Sequence, residues 1–176
     1  TNTGTITIDE NYTPTDSDSD GDIDGPFAQG ANRFGIRVLP GGTFTGAISN
    51  SGTVKVEGNQ SAGIAIDSIL TGSLVNSGTI SVLGTDSVAI RASAITGNVT
   101  LSSGTISAQG QNAVGALFAG DIGGALSIQN TISSTGYRYT TPPADRSKLD
   151  ADDLLQGGSA VGVAAGLGRG VLLGAR

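Results

Sequence analysis

The chain has 176 residues, among them 29 Gly and no Cys, Met, Trp or His, with 4% aromatic residues. Without thiols or imidazoles there are no disulfides, no Cys/His metal sites and no Ser-His-Asp triad. The formal charge of -6 leaves no basic face to displace counterions from phosphate, which argues against a nucleic-acid partner.

A chain this poor in bulky rings cannot build an ordinary globular interior. Its apolar residues are small and β-branched, the kind that fill narrow spaces in stacked, similar rows. No stretch reaches the ~18 to 20 apolar residues of a membrane span. The chain begins at Thr1 without a charged-then-apolar leader, which reads as a processed product or an excised fragment.

In chain order the first element is "NTGTITI" from Asn2, a strand with apolar residues at alternate positions. An insertion follows over residues 9–29, "DENYTPTDSDSDGDIDGPFAQ". Within it Asp16, Asp18, Asp20, Gly21, Asp22, Ile23 and Asp24 spell D-x-D-x-D-G-x-I-D. That matches the first nine positions of an EF-hand-type calcium loop, where alternate carboxylates curl around a hard cation and Gly allows the turn. Ile23 is the expected anchor of the loop. The twelfth position, usually Glu, falls on Phe27, so Asp9 or Glu10 is the candidate last ligand. The alternative is a solvated acidic loop; on the calcium reading the ion is structural. Past the insertion, Ile36 resumes the strand pattern, and "LPGG" at Leu39 adds two residues before "TGAISN" from Thr45.

The opening phrase then returns as "NSGTVKV" from Asn50, "NSGTISV" from Asn76, "SSGTISA" from Ser102 and "QNTISS" from Gln129. Thr53, Thr79, Thr105 and Thr131 stand 26 residues apart, with Val54, Ile80, Ile106 and Ile132 in step. "AGIAI" from Ala62, "VAIRA" from Val88 and "VGALFA" from Val114 keep the same beat. "TGSLVN" from Thr71 and "TGNVTLS" from Thr96 form a looser third series, one residue early in the second case. Three short strands per 26 residues cannot bury an apolar face alone, whereas stacked turns at the ~4.8 Å strand spacing bury it in columns. The fold class predicted is all-β, a parallel β-helix (solenoid), one segment over residues 1–176. A globular sandwich with accidental repeats is the competing reading.

The second insertion, 135–157, contains "GYRYTTPPADRSKLDADDLLQ". Thr141 before Pro142 reads as a helix start, and Asp145 to Leu155 as a short amphipathic helix presenting Leu149, Leu154 and Leu155, against a plain surface loop. Tyr137 and Tyr139, two apart, join these leucines as a candidate interaction loop, since exposed aromatics anchor recognition. Both insertions leave the same corner. Val54 to Ile64 spans 10 residues, but Ile6 to Ile36 exceeds that by 20 and Ile132 to Val163 by 21. The two roots then lie four coil steps, or roughly 19 Å, apart.

Three columns carry further expectations. Gly4, Gly52, Gly78, Gly104 and then Asn130 share one position, read as a corner needing positive φ. Asn2, Asn50 and Asn76 form an amide ladder that ends at Ser102. Arg37, Ala65, Arg91 and Leu117 face outward, an Arg pair that either binds a polyanion or guards solubility. Glycoside hydrolysis needs two carboxylates across a groove. The acids outside the first insertion are Glu57, Asp67, Asp86, Asp121, Asp145, Asp150, Asp152 and Asp153, and none repeats in a neighbouring register. The expectation is therefore no enzyme, with a polysaccharide-active β-helix enzyme as one alternative and a self-assembling filament or surface-layer subunit as another.

Tandem "NSGTISV" coils, Gly/Ser/Thr/Asn richness, acidity and missing Cys together resemble the passenger region of a Gram-negative autotransporter. The resemblance implies a right-handed rod at the cell surface or released from it. It also implies an adhesin or scaffold role towards a host or neighbouring-cell ligand, protein or glycan, and a membrane barrel elsewhere in the parent chain. Apolar columns bare at both ends imply a piece of a longer rod.

Overall fold

A computed structural model of the chain describes residues 1–17, 19, 23–136, 145–149, 151–164 and 166–174. The first pass of chain gives β1 (Thr5–Ile8), β2 (Phe34–Val38), β3 (Phe44–Thr45) and β4 (Ile48–Asn50). The second gives β5 (Thr53–Glu57), β6 (Ala62–Ile66), β7 (Leu70–Thr71) and β8 (Leu74–Asn76). The third gives β9 (Thr79–Leu83), β10 (Val88–Ala92) and β11 (Val99–Leu101), and the fourth β12 (Thr105–Gln109), β13 (Val114–Phe118) and β14 (Leu126–Ile128). The last gives β15 (Thr131–Thr135), β16 (Val161–Val163) and β17 (Val171–Leu173).

Corresponding strands pair in parallel into three 5-stranded sheets, β1-β5-β9-β12-β15, β2-β6-β10-β13-β16 and β4-β8-β11-β14-β17, with β3 and β7 as a small fourth pair. The architecture is a β-solenoid of about 4 turns with coils of about 26 residues. Ile6, Val54, Ile80, Ile106 and Ile132 lie in one register, as the phrase spacing requires. Val54, Ile80 and Ile106 are fully buried, in the same core as Ile64, Ile90, Leu74, Val99 and Leu126. Alternation explains the choice: Thr53, Lys55 and Glu57 face out while Val54 and Val56 face in. At the end of the rod the columns open, and Val163, Val171 and Leu173 are 39%, 48% and 70% exposed. Among the described residues no helix is long and apolar enough to cross a membrane.

The asparagine ladder is present. Asn2 Nδ2 donates to Asn50 Oδ1 at 2.7 Å, and Asn50 Nδ2 to Asn76 Oδ1 at 2.7 Å. Asn76 Nδ2 then turns to Gly78 O at 3.0 Å, because Leu101 is the residue in register beyond it.

Two backbone expectations are corrected. The left-handed corner is not the Gly52 column: there only Gly104 has positive φ, at 70°. It lies instead at Asn32, Gln60, Asp86 and Asn112, with φ of 58°, 47°, 55° and 55°. Glycine recurs at 52, 78 and 104 for room. A Cβ at Gly78 would lie 2.0 Å from Gly52 O, and one at Gly52 2.0 Å from Gly4 O. In the last coil the register is two residues off the expectation, since Val161, not Val163, pairs with Ala116, and Val163 lies over Phe118.

Candidate functional site

The first insertion is pinched shut at its root. Glu10, whose side chain is 6% exposed, accepts N–H bonds from Gln29 at 3.0 Å and Gly30 at 2.9 Å and pairs with Arg33 at 3.3 Å. Arg33 Nη1 also donates to the carbonyls of Asp9 and Glu57. Glu10 thereby closes the loop at its root. The anchor is not Ile23, which is 40% exposed; Phe27 and Ala28 are buried instead. Ala28 O accepts from Asn59 Nδ2 at 2.8 Å, tying the insertion to the next coil.

Of the five aspartates in the D-x-D-x-D run, Asp16 and Asp24 are described; Asp18, Asp20 and Asp22, with Gly21, lie outside the described residues. Asp16 Oδ1 accepts from Ser19 N–H at 2.6 Å. Asp24 Oδ2 accepts from the N–H of Ser17 and from its hydroxyl, the latter at 2.7 Å, while Asp24 N–H donates to Thr15 O at 3.2 Å. These bonds bring the first and ninth positions of the motif side by side. The donor set is all hard oxygen, the chemistry a calcium ion takes. Among the described residues no three or more carboxylates converge as a metal-holding group.

In the second insertion Tyr137 and Tyr139, and the Thr141–Pro142 start, lie outside the described residues. The helix expected from Asp145 to Leu155 is corrected to one 3-10 turn, Arg146–Lys148, capped by Asp145 and ended by extended Leu149. One turn is too short to repay helix nucleation, and Asp152 and Asp153 would place carboxylates at the negative C-terminal end of the dipole. The Ser147 hydroxyl first, then its N–H, holds the fully exposed Asp145 carboxyl below its ordinary value. Leu149 and Leu155 are half-buried and Leu154 is 61% exposed. Leu155 O presses on Gly136, where a Cβ would sit 2.2 Å from it.

The insertions, rooted on the first and last coils, touch: Gly25 N–H donates to Asp152 Oδ2 at 3.0 Å. Nothing in the sequence pointed to Asp152 or Gly25, because residues 127 apart share no periodic signal.

Around the corner, the arginine pair is a clamp. Asp67 receives Arg37 Nε at 2.8 Å on Oδ2 and Arg91 Nη2 at 2.9 Å on Oδ1. Both guanidinium groups lie over the Phe34 ring, at 3.9 and 5.4 Å from its centroid, and Ala65 between them is fully buried. Asp67 directly follows the strand that separates the two arginines, a signal the sequence did contain.

The outer face of the first sheet forms a groove of ≈ 420 Å³ along the rod, with Lys55, Glu57, Ser81, Leu83, Ser107 and Gln109 in its lining. Each rod carboxylate has a polar partner. Glu57 Oε2 takes Glu10 N–H at 3.1 Å, Asp86 takes Asn112 Nδ2 at 3.0 Å, and Asp121 takes Gly166 N–H at 2.9 Å. Comparisons with family models, with curated proteins and with solved structures return no match to this chain.

Proposed function

We propose that the chain is a structural and interaction segment of a secreted or surface-displayed β-solenoid of the autotransporter-passenger kind, an adhesin or scaffold in a Gram-negative outer-membrane setting. The observation that carries this reading is the placement of both insertions on one edge of a stiff stack, in contact with each other. Stacked coils hold such a surface at a fixed distance and orientation, and insertions on one side of a repeat are where interaction concentrates. The partner is a host or neighbouring-cell surface ligand, protein or glycan, and the membrane barrel belongs to another part of the parent chain.

The test has two arms. Protease shaving of intact cells that make the protein should release it; confinement inside the cell would overturn the surface assignment. Binding of the purified chain to cell-surface protein and glycan arrays should fall when residues 11–28 are replaced by a short turn. Equal binding by both forms would overturn the assignment of recognition to the insertions. Turnover of a polysaccharide by the purified chain would instead establish the enzyme reading.

Calcium at Asp16, Asp18, Asp20, Asp22 and Asp24 is part of the proposal, with the ion ordering the first insertion. Titration calorimetry should give a calcium heat that Asp20→Asn weakens; no heat in the unaltered chain refutes the site. Self-association is a second reading favoured by one observation. The last coil leaves an apolar cavity of ≈ 400 Å³ among Leu126, Ile128, Ile132, Val161, Val171 and Leu173. Concentration-dependent light scattering would reveal end-to-end filaments.

A further inference from the structure

Three triplets in the chain read Asn-x-Ser/Thr, the acceptor pattern for an N-linked sugar: Asn11-Tyr12-Thr13, Asn59-Gln60-Ser61 and Asn98-Val99-Thr100. In a chain rich in Asn, Ser and Thr so short a pattern arises by chance, and alone it selects nothing. The structure separates the three by what each asparagine already does.

Two of them are consumed by the stack. Asn59 Nδ2 donates to Ala28 O at 2.8 Å, and its Oδ1 accepts Thr85 N–H at 2.9 Å. Gln60 sits at the left-handed corner, and Ser61 is 1% exposed with its hydroxyl donating to Asn59 O. Asn98 Oδ1 accepts Ala125 N–H at 2.9 Å, its N–H donates to Ser73 Oγ at 3.1 Å, and its carbonyl accepts Leu74 N–H at 3.0 Å. Val99 is fully buried in β11, which is paired on both edges, with β8 and β14. Either triplet reaches an enzyme only if a coil opens.

Asn11-Tyr12-Thr13 is the reverse. It lies in no strand, and Asn11 and Thr13 are both exposed. Among the described residues neither the Asn11 amide nor the Thr13 hydroxyl has a hydrogen-bond partner. Glu10, directly before it, is held by Gln29, Gly30 and Arg33, so the triplet begins where the pinch ends. Pro14, directly after it, keeps Thr13 in extended backbone and out of a helical turn. The columns of the rod make no demand for Asn or Thr here.

We infer that Asn11 is the acceptor of an N-linked sugar, delivered by an enzyme from a donor whose anomeric carbon is joined to a diphosphate. Asn11 Nδ2 attacks that carbon, and the carbon–nitrogen bond forms as the carbon–oxygen bond to the diphosphate breaks. The diphosphate leaves with the bonding electron pair, and one amide proton passes to the enzyme's base. No oxidation or reduction is involved. An amide nitrogen shares its lone pair with its carbonyl and is a weak nucleophile, which favours an amide with no competing bonds over one already spent on a carbonyl. The product places a hydrated, uncharged group at the root of an acidic insertion. This goes beyond the recognition reading above: a chain that binds no surface partner would still carry the acceptor.

The test has two arms. Peptide mapping by mass spectrometry of the chain isolated from cells that make it should find sugar on Asn11 and none on Asn59 or Asn98. A single hexose marks a nucleotide-linked donor and a preassembled oligosaccharide a lipid-linked one; a bare Asn11 overturns the assignment. In the second arm the purified, folded 176-residue chain is incubated with a sequon-specific asparagine glycosyltransferase and a nucleoside-diphosphate hexose. One hexose should be added. Asn11→Gln and Thr13→Val should each abolish the addition, and Thr13→Ser should keep it. The same chain cut into peptides should gain hexose on Asn59 and Asn98 as well. Addition that survives Asn11→Gln overturns the site. Addition to Asn59 or Asn98 in the folded chain, or none there in the peptides, overturns the selection by the fold.

Discussion

Gly78→Ala and Gly78→Asn, made side by side, separate two reasons for glycine in this column. If the position demanded positive φ, Asn would be tolerated better than Ala, because its short polar side chain visits that region more readily. The structure gives a different reason. A Cβ at residue 78 would stand 2.0 Å from Gly52 O and 2.8 Å from Ser51 C, whereas ordinary contact begins at 3.4 Å. The coil must open locally by 1.4 Å (3.4 less 2.0), more than a quarter of the ~4.8 Å strand spacing. The atom pushed away, Gly52 O, is the acceptor of Thr79 N–H at 3.0 Å. One relaxed arrangement is already visible one step up. Asn130 carries a Cβ in this column, and Gly104 beneath it is the column's one member at positive φ. If Gly52 turned the same way it would give up its bond to Thr79.

Either route costs a ladder hydrogen bond, about 0.5–1.5 kcal/mol, or overpacking strain of about 1–3 kcal/mol. We expect both variants to lose about 1–3 kcal/mol in urea unfolding. At about 2–4 °C per kcal/mol for a chain of this size, Tm should drop by roughly 2–12 °C. Gly4→Ala is the internal control, since nothing lies within 4 Å of its Cβ position and the backbone is not left-handed there. It should be neutral or slightly stabilising through the unfolded chain. A Gly78→Asn variant as stable as the parent, or a Gly4→Ala variant as damaged as Gly78→Ala, would refute the close-approach argument.

Asn50→Leu removes the donor to buried Asn76 Oδ1 and should cost about 1–3 kcal/mol; an unchanged urea midpoint would mean the ladder adds nothing. Asp67→Ala frees two guanidinium groups whose side chains are 33% and 32% exposed. Its stability cost should stay below about 1 kcal/mol, while retention on an immobilised polyanion rises in a salt-sensitive way, and unchanged retention counts against the clamp. Asp145 has a folded pKa below its ordinary 3.8, so its capping bonds hold above that pH and are lost as pH falls through the folded value. A carboxyl carbon NMR titration should give a midpoint below 3.8, and a midpoint above it would contradict the cap.

The coils were legible in the sequence because their physics is periodic. Val54, Ile80 and Ile106 recur in step, since each is the lid of the one below, and Asn2, Asn50 and Asn76 recur because each amide completes the next. The reason for the glycines was not legible. Positive φ and lack of space both select glycine, and only the carbonyl beneath Gly78 tells them apart. The left-handed corner escaped for the opposite reason. Its occupants Asn32, Gln60, Asp86 and Asn112 differ in chemistry, and what they share is backbone shape. The second insertion holds a single 3-10 turn where the Thr141–Pro142 start signal and the leucine spacing suggested a helix, because neither signal carries the cost of starting so short a helix. The contact from Gly25 to Asp152 had no local signature at all.

That corner also explains why so long an insertion does not disturb the stack. After the excursion over 9–29, the chain re-enters at Ala31, bridged to Asn59, and at Asn32, whose N–H meets Asn59 O at 2.9 Å. Asn32 then takes the left-handed turn that Gln60, Asp86 and Asn112 take in coils with no excursion. Arg33 N–H docks on Ser61 Oγ at 3.0 Å, just as Ser61 N–H docks on Ser87 Oγ at 3.1 Å. The returning strand is thus captured by the same small bonds whether 20 extra residues precede it or none. Closing a longer loop adds only about 0.6 kcal/mol per doubling of its length, which the Glu10–Arg33 pinch and the buried Phe27 are placed to offset. Stacking therefore constrains the corner residues and the columns, while the residues between Glu10 and Phe27 are left free to specialise. Seven of the 15 acidic side chains are concentrated in that first insertion, where the columns exert no demand.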